Sequence, residues 1–189
     1  MFLPTVWKAL YLAWFASEIY IAIATRTRGG SGKVSDRGTM LLLWIVISAS
    51  VSAGVWIGEA QGSNLPGGAH WLKPVSFLVL FAGLVLRWAA VLSLGKAFSA
   101  NVAIQTIQTV KRDGLYRWMR HPSYTGSLLC LLGVGLHMRN WISFLIIVIP
   151  STAAFLYRIH VEEIVLRNHF GQEYIDYSGQ TKRLIPWIY

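Results

Sequence analysis

The chain has 189 residues, of which 54% are hydrophobic and only 13% are charged, and its mean hydropathy is +0.49. A soluble domain carries about 25% charged residues, so the composition excludes an ordinary soluble protein and favours an integral membrane protein. The net charge of +9 could indicate nucleic-acid binding, but the basic residues flank long apolar runs, as topology signals of membrane proteins do. The single cysteine, Cys130, excludes a disulfide framework and a cysteine-based metal site.

Five apolar runs are candidates for membrane-spanning helices, which need about 20 residues each. The first three are residues 6–24, 39–57 and 75–94. The fourth, residues 124–138, is short, and the fifth covers residues 141–157. The sequence therefore predicts an all-α integral membrane protein with about five transmembrane helices.

The last two spans are separated by only two residues, so they are expected to form an antiparallel helical hairpin over residues 124–157. Pro150 is expected to kink the fifth span. Glu18 and Arg87 lie inside the first and third spans, and an intramembrane charge is by default a functional candidate. For both residues, snorkelling or pairing with a neighbour is the favoured interpretation.

The basic residues predict the orientation. Thirteen of the 17 Lys and Arg residues fall on one side of the predicted membrane, in the loop after the first span, the segment before the fourth span and the tail from Arg158. The positive-inside rule places this side in the cytoplasm. With an odd number of spans, the N-terminus is predicted to lie outside and the C-terminus in the cytoplasm.

A polar, aromatic and basic segment, residues 114–126, lies between the third and fourth spans. Membrane proteins seldom place so many hydrogen-bonding groups beside the bilayer without a use for them. Pro122 fits the first turn of the fourth span, which puts His121 and Tyr124 at the mouth of that span. The free amide groups of a helix N-terminus favour an anionic ligand group such as a carboxylate.

The aromatic residues near this segment have a second interpretation. Tyrosine and tryptophan are common at membrane interfaces in any case. For Trp118, Tyr177 and Trp187, interfacial anchoring is the favoured interpretation. For His121, composition supports anchoring and ligand binding about equally.

A second polar cluster follows the fifth span. Arg158 and Glu162 are four residues apart and share a helix face, while Glu163 lies on the neighbouring face. On an arbitrary helix this pattern indicates a surface ion pair worth little. Here the helix continues directly from a span, where charges usually face protein or a water-filled cavity. His160 beside these glutamates does not form a recognised zinc pattern, so no metal site is predicted.

Several segments carry a family resemblance. They are Gly114-Leu115-Tyr116, Arg120-His121-Pro122-Ser123-Tyr124-Thr125-Gly126, Glu162-Glu163, Phe170-Gly171-Gln172-Glu173-Tyr174 and Leu184-Ile185-Pro186. Together they resemble the isoprenylcysteine carboxyl methyltransferase family, integral membrane enzymes that use S-adenosylmethionine. The Arg-His-Pro-x-Tyr pattern alone is shared with membrane sterol reductases and phospholipid methyltransferases, and the Glu-Glu block with the Phe-Gly-x-Glu-Tyr pattern narrows the resemblance.

The resemblance implies roles for individual residues. Arg158 corresponds to the arginine that the family places at the substrate carboxylate. The implied cofactor-binding residues are Gln108, Thr109, Val110, Lys111, Tyr116, His121, Pro122, Ser123, Tyr124 and Glu162. At positions 108 and 111 the family has a histidine and an apolar residue instead.

The resemblance implies methyl transfer from S-adenosylmethionine to the carboxylate of a lipid-modified, isoprenylcysteine-like substrate. Residues 1–94 would form a three-span membrane region, and residues 95–189 a catalytic region with the hairpin and the cytoplasmic tail. The cofactor would bind in a cytoplasmic site formed by residues 95–121 and the tail, and a lipophilic small molecule or prenylated peptide would arrive from the bilayer.

Three alternatives stay open. One is an NADPH-dependent membrane sterol or lipid reductase of the same superfamily, and another is methylation of a thiol or a lipid amine. The third is a non-enzymatic membrane protein whose polar cluster is structural.

Overall fold

The computed structural model describes residues 2–25, 32–34, 38–65, 70–95, 103–105 and 109–189. The elements in this part of the chain are α1 (Phe2–Ala24), β1 (Gly32–Val34), α2 (Thr39–Gln61), α3 (Leu72–Leu94), β2 (Ala103–Gln105), a 3-10 helix (Gly114–Arg117), α4 (Pro122–Met138), α5 (Trp141–Phe170) and α6 (Gln172–Gln180). The two short strands pair antiparallel, with Gly32 opposite Gln105. The predicted helical membrane fold is confirmed, with this two-stranded addition.

Four of the described helices, α1, α2, α3 and α5, are long and apolar enough to cross a membrane. Helix α4 has 17 residues, which is the lower limit for a spanning helix, so the fifth span stays a prediction. It begins at Pro122, two residues earlier than the predicted span, because proline fits the first helical turn. Helix α5 continues past the predicted end at residue 157 to Phe170, because its polar extension finds partners within the protein.

The connection between α4 and α5 is short because two adjacent residues end the first helix and cap the start of the second. Arg139 ends α4 in the left-handed conformation, with φ of 53°. The side chain of Asn140 accepts hydrogen bonds from the backbone N–H groups of Ile142 (3.0 Å) and Ser143 (3.1 Å), which starts α5. Its Nδ2 donates to the carbonyl of Gly62 at 3.0 Å, so the same residue also ties the connection to the end of α2.

Helices α3 and α4 pack backbone to backbone. A Cβ atom at Gly126 would lie 2.6 Å from the backbone nitrogen of Arg87, and one at Gly83 would lie 2.7 Å from the backbone nitrogen of Cys130. Small residues allow such close approach between helices in a membrane. The packing sets the start of α4 directly against the third helix, next to Arg87.

Replacing Gly126 by alanine should destabilise the protein by about 1–3 kcal/mol, because the new methyl group overlaps backbone that cannot move aside. The measurement is thermal unfolding of the purified protein in detergent. Gly179→Ala in α6 is the matched control, since a Cβ there meets nothing within 4 Å. Equal unfolding temperatures for Gly126→Ala and the control would contradict the close packing.

A buried ion pair joins α1 to α3. The Nε and Nη2 atoms of Arg87 donate to the two carboxylate oxygens of Glu18 at 3.1 and 2.9 Å. The Nη1 of Arg87 donates to both the carbonyl and the hydroxyl of Ser123 at the start of α4. These two intramembrane charges therefore pair with each other, as the sequence favoured, and connect three helices.

Candidate functional site

The segment ahead of α4 lies alongside the C-terminal tail. The backbone N–H of Arg120 donates to the carbonyl of Lys182 at 2.7 Å, and that of His121 donates to the carbonyl of Arg183 at 2.9 Å. His121 precedes Pro122, the first residue of α4. The tail therefore fixes the backbone from which the His121 side chain projects at the helix start.

Tyr116 and Tyr177 hold the 3-10 helix between α3 and α6. The Tyr177 hydroxyl donates to the carbonyl of Tyr116 at 2.7 Å, and the Tyr116 hydroxyl donates to the carbonyl of Ala90 at 3.3 Å. Burial raises the pKa of Tyr177 to about 12, so its phenol remains a neutral donor near neutral pH. Tyr177 is buried within the protein, which corrects its interpretation as an interfacial anchor.

A hydrogen-bonded relay joins α4 to α5 through Tyr124. The Tyr124 hydroxyl donates to Oε2 of Glu162 at 2.6 Å and accepts from Nε of Arg158 at 3.0 Å. Arg158 and Glu162 are one turn apart, about 6 Å along the helix axis. The phenol therefore connects the residue predicted for the substrate with one predicted for the cofactor.

The guanidinium of Arg158 is held at a second point. Its Nη1 donates to the hydroxyl of Thr39 at 3.0 Å, and Thr39 is the first residue of α2. Arg158 is only 2% exposed. A buried arginine with partners on two different helices has a fixed orientation, which suits the recognition of a planar anion.

Glu163 is the centre of a cluster of cations. Its carboxylate lies 2.9 Å from Nε of Arg120, 3.0 Å from Nη2 of Arg183 and 3.7 Å from Nη2 of Arg167. Arg120 also donates to the carbonyls of Ser178 and Thr181, at the end of α6. This cluster joins α5 to the start of α4 and to the tail, and we call it the Glu163 cluster.

The imidazole of His121 lies between the two adjacent glutamates. Its Nδ1 is 3.9 Å from Oε2 of Glu162, and its Nε2 is 3.5 Å from Oε1 of Glu163. The ring stacks on Tyr124, with 5.5 Å between centroids and 8° between planes. His121 is buried, whereas the Glu162 side chain remains 27% exposed, so of these two the glutamate is the more open to a ligand.

The structure gathers some of the predicted site residues and leaves others apart. His121, Tyr124, Arg158 and Glu162 form one connected group. The other predicted residues lie nearby in the chain. Pro122 and Ser123 are in the first turn of α4, where Ser123 is hydrogen-bonded to Arg87, and Tyr116 contacts α3. Thr109, Val110 and Lys111 lie ahead of the 3-10 helix. Lys111 pairs with Asp113 at 2.8 Å, and Gln108 lies outside the described residues.

Sequence reasoning missed three participants. Thr39 gave no signal, because a threonine at the start of a span has many ordinary explanations. Arg183 contributes to the topology signal of the basic residues, and its position beside the Leu184-Ile185-Pro186 motif is the further hint that the sequence contains. Glu163 belongs to the Glu-Glu block, but the resemblance implies a role only for Glu162, and the adjacent position is the available hint of a second function.

A cavity of about 370 Å³ reaches this group from within the membrane-spanning helices. Its polar end includes Tyr124, Arg158, Arg87 and Glu18, and the rest of its wall is mainly apolar, with contributions from all of the first five helices. The volume lies within the range of pockets that enclose small ligands. An elongated ligand with one anionic end and an apolar body matches this distribution.

A sequence model of the isoprenylcysteine carboxyl methyltransferase family matches residues 75–168, which include His121, Tyr124, Arg158 and Glu162. The chain is also similar to a solved structure of the eukaryotic intramembrane Ras methyltransferase of that family. The TM-score is 0.65 at 30% identity, over 77% of this chain and 52% of the other. The chain belongs to the isoprenylcysteine carboxyl methyltransferase family.

Curated relatives agree with this membership. The chain is 34% identical over 121 residues to protein-S-isoprenylcysteine O-methyltransferase of Tribolium castaneum, covering 63% of this chain and 43% of that protein. It is 27% identical over 176 residues to protein-S-isoprenylcysteine O-methyltransferase B of Arabidopsis thaliana, covering 91% of this chain and 87% of that one. This family member therefore spans less than half of the insect relative and most of the plant relative.

Proposed function

We propose that this protein transfers a methyl group from S-adenosylmethionine to the carboxylate of a prenylated cysteine. The observation that carries the proposal is the Arg158–Tyr124–Glu162 relay. It connects a guanidinium at the polar end of a membrane cavity with a partly exposed carboxylate one helical turn away. An enzyme that joins a lipophilic acceptor to a polar donor needs two such subsites side by side.

The acceptor subsite is the cavity. Arg158 can orient a carboxylate through its planar fork of donors, and the apolar wall can enclose a prenyl chain. Phe15 on α1 lines the cavity and is 47% exposed, so we take α1 as the element that separates the cavity from the bilayer. We propose that the substrate reaches the cavity sideways, past α1.

The donor subsite is built around Glu162 and His121. S-adenosylmethionine carries an amino group and ribose hydroxyls, which are donors that suit a carboxylate with remaining acceptor capacity. Glu162 has that capacity, since a carboxylate accepts about four hydrogen bonds and the Tyr124 hydroxyl supplies one. The residues proposed to hold the cofactor are therefore Glu162, His121 and Tyr124, with Tyr116 and residues 109–111 supporting the same side.

The reaction needs little from the protein beyond positioning. When bound, S-adenosylmethionine supplies a methyl group on a positively charged sulfur, which a carboxylate oxygen can attack directly. A free α-carboxyl group has a pKa of about 3.5, so the acceptor is already ionised near neutral pH and no general base is required. Alignment of two bound reactants can supply on the order of 7–11 kcal/mol of the barrier reduction.

Arg158 must orient the carboxylate without binding it too tightly, because the acceptor loses its negative charge as the ester forms. The hydrogen bonds from Arg158 to Tyr124 and Thr39 suit this task, since they hold the guanidinium in place independently of the substrate. The buried surroundings also exclude water, which strengthens the attraction between the reacting charges.

The two halves of the chain have different proposed roles. We propose that residues 95–189 carry the reacting subsites and that residues 1–94 supply cavity wall and Thr39. The concentration of Lys and Arg around the donor subsite supports a cytoplasmic location for that side, with the N-terminus outside.

The test is methyl transfer from radiolabelled S-adenosylmethionine to a panel of lipid acceptors by the purified protein. We expect a base-labile methyl ester on S-farnesyl and S-geranylgeranyl cysteine derivatives, and no product with the matching C-terminal amides. Base-stable products on lipid thiols or amines would overturn the carboxylate assignment. Binding of NADPH without binding of S-adenosylmethionine would overturn the methyltransferase itself in favour of a reductase.

A further inference from the structure

A second cleft, separate from the proposed site, lies between the segment ahead of α4 and the tail. Its volume is about 340 Å³, and its wall includes Arg112, Arg117, Lys182, Trp118 and Trp187. No carboxylate residue forms part of that wall among the described residues. We call this the basic cleft, and the proposed function assigns it no role.

The cleft carries positive charge that the protein does not neutralise. Arg112 pairs with Glu173 at 3.3 Å. Arg117 and Lys182 are exposed, and in the part of the chain that the structure describes neither side chain makes an ion pair. Two cations facing one concave surface favour an anionic ligand.

The rim of the cleft is aromatic and apolar. The rings of Trp118 and Trp187 meet edge to face at 5.5 Å, and they are 47% and 79% exposed. The guanidinium of Arg117 lies 5.4 Å from the centre of the Trp118 ring. Ile188, beside Trp187, is 74% exposed. Exposed tryptophans beside cations are typical of the headgroup region of a membrane.

The position of the cleft agrees with that environment. Trp118 precedes the first residue of α4, Pro122, by four residues, so the predicted span over α4 would place it near the headgroup region. The isolated bridge between Met119 and Lys182 fixes the two walls against each other. The cleft is thus a preformed pocket rather than a set of independent surface lysines and arginines.

We propose that the basic cleft binds the phosphate headgroup of an anionic phospholipid. Arg117 and Lys182 would contact the phosphate, while Trp118 and Trp187 would lie against the glycerol and the upper acyl chains. A free phosphate compound would contact only the cations and would not contact the aromatic rim. A phospholipid would contact both the cations and the aromatic rim of the basic cleft.

The test is a titration of the full chain in detergent with phosphatidylglycerol and with phosphatidylcholine, read by native mass spectrometry. We expect the wild type to prefer phosphatidylglycerol. Arg117→Gln and Lys182→Gln should each weaken phosphatidylglycerol binding about fivefold, which corresponds to about 1 kcal/mol per charge near an anionic lipid. Both changes should weaken phosphatidylcholine binding less than phosphatidylglycerol binding, because the choline cation offsets the charge of its phosphate, whereas Trp118→Ala should weaken both lipids.

Lys8→Gln is the matched control, because Lys8 is an exposed cation on α1 at the opposite predicted side. It should leave the preference unchanged. Equal affinity of the wild type for the two lipids, or an unaltered preference in the Arg117→Gln/Lys182→Gln double variant, overturns the proposal. Full competition by equimolar glycerol 3-phosphate, or preferential binding of a poly-glutamate peptide, would likewise replace the lipid with a soluble anion or an acidic partner.

Discussion

Replacing Arg158 by lysine should reduce kcat/KM for a prenylated cysteine about 100-fold or more while the affinity for S-adenosylmethionine stays within about twofold of wild type. Lysine keeps the positive charge but lacks the planar fork, and it cannot reach Tyr124 and Thr39 at once as Arg158 does. A hydrogen bond to a charged group contributes about 1.5–3 kcal/mol, so the loss of one or two such bonds to the substrate carboxylate sets the size of the effect.

Thr39→Val provides a graded comparison. It removes only the hydroxyl that accepts from Nη1 of Arg158, so it should lower kcat/KM by a factor of about 3–10, in line with the loss of one hydrogen bond of about 0.5–1.5 kcal/mol. His160→Ala is the matched control on the same helix, because His160 is exposed and two residues away.

The two measurements are steady-state methyl transfer and calorimetric binding of S-adenosylmethionine. Unchanged turnover in Arg158→Lys would remove Arg158 from the acceptor subsite. A parallel loss of cofactor affinity would instead assign Arg158 to the donor subsite. Turnover in His160→Ala that falls as far as in Arg158→Lys would show that both changes act through disruption of α5.

The extent to which the sequence predicts this molecule differs between its parts. Hydropathy located the membrane helices, because an apolar run of spanning length has few other uses. It did not define the end of α5, since the extension over residues 158–170 is rich in charged and polar residues. That extension stays helical because residues such as Arg158 and Glu163 have partners on other elements, and a local pattern cannot reveal those partners.

For single residues of the site, too, local sequence patterns do not reveal tertiary partners. The spacing of Arg158 and Glu162 correctly implied a shared helix face, but it could not show that Tyr124 lies between them. Thr39 is 119 residues away from Arg158 in the chain, so only the packing of α2 on α5 brings them together. Long-range pairing of this kind depends on the tertiary fold and leaves no mark in local composition.

The pairing of Glu18 with Arg87 was open for a related reason. Each charge alone favours snorkelling or pairing over a functional role, but it does not decide between those two, because both relieve the cost of a charge in the membrane. The choice depends on whether α1 lies next to α3, which composition does not encode. Gly83 and Gly126 offered a clue to the neighbouring α3–α4 contact, since glycines in spans often mark close helix packing.

Replacing each glutamate of the Glu-Glu block by glutamine should affect a different property of the protein, cofactor binding for one and thermal stability for the other. Glu162→Gln should abolish S-adenosylmethionine binding and leave thermal stability nearly unchanged, because Glu162 is partly exposed and contacts the phenol of Tyr124 and the imidazole of His121. Glu163→Gln should lower the unfolding temperature by on the order of 10 °C, because removing a buried carboxylate that faces several guanidinium groups costs about 3–5 kcal/mol.

The physical difference lies in what each carboxylate holds. Glu163 fixes Arg120 at the start of α4 and Arg183 in the tail, so its loss leaves two guanidinium groups without their shared anion. The tail should then detach locally before the helices unfold. Trypsin, which cleaves after lysine and arginine, reports this opening at Lys182 and Arg183, and cleavage there should accelerate in Glu163→Gln but not in Glu162→Gln.

His121→Ala is the variant that connects the two outcomes, since the imidazole lies 3.9 Å from Glu162 and 3.5 Å from Glu163. We expect it to lose S-adenosylmethionine binding, as Glu162→Gln does, while its tail stays resistant to trypsin because Arg120 and Arg183 still share Glu163. Normal cofactor affinity in both His121→Ala and Glu162→Gln would contradict the donor subsite. Rapid tail cleavage in Glu162→Gln would mean that the two carboxylates act as one structural unit, so that a loss of cofactor binding in that variant could no longer be assigned to Glu162 itself.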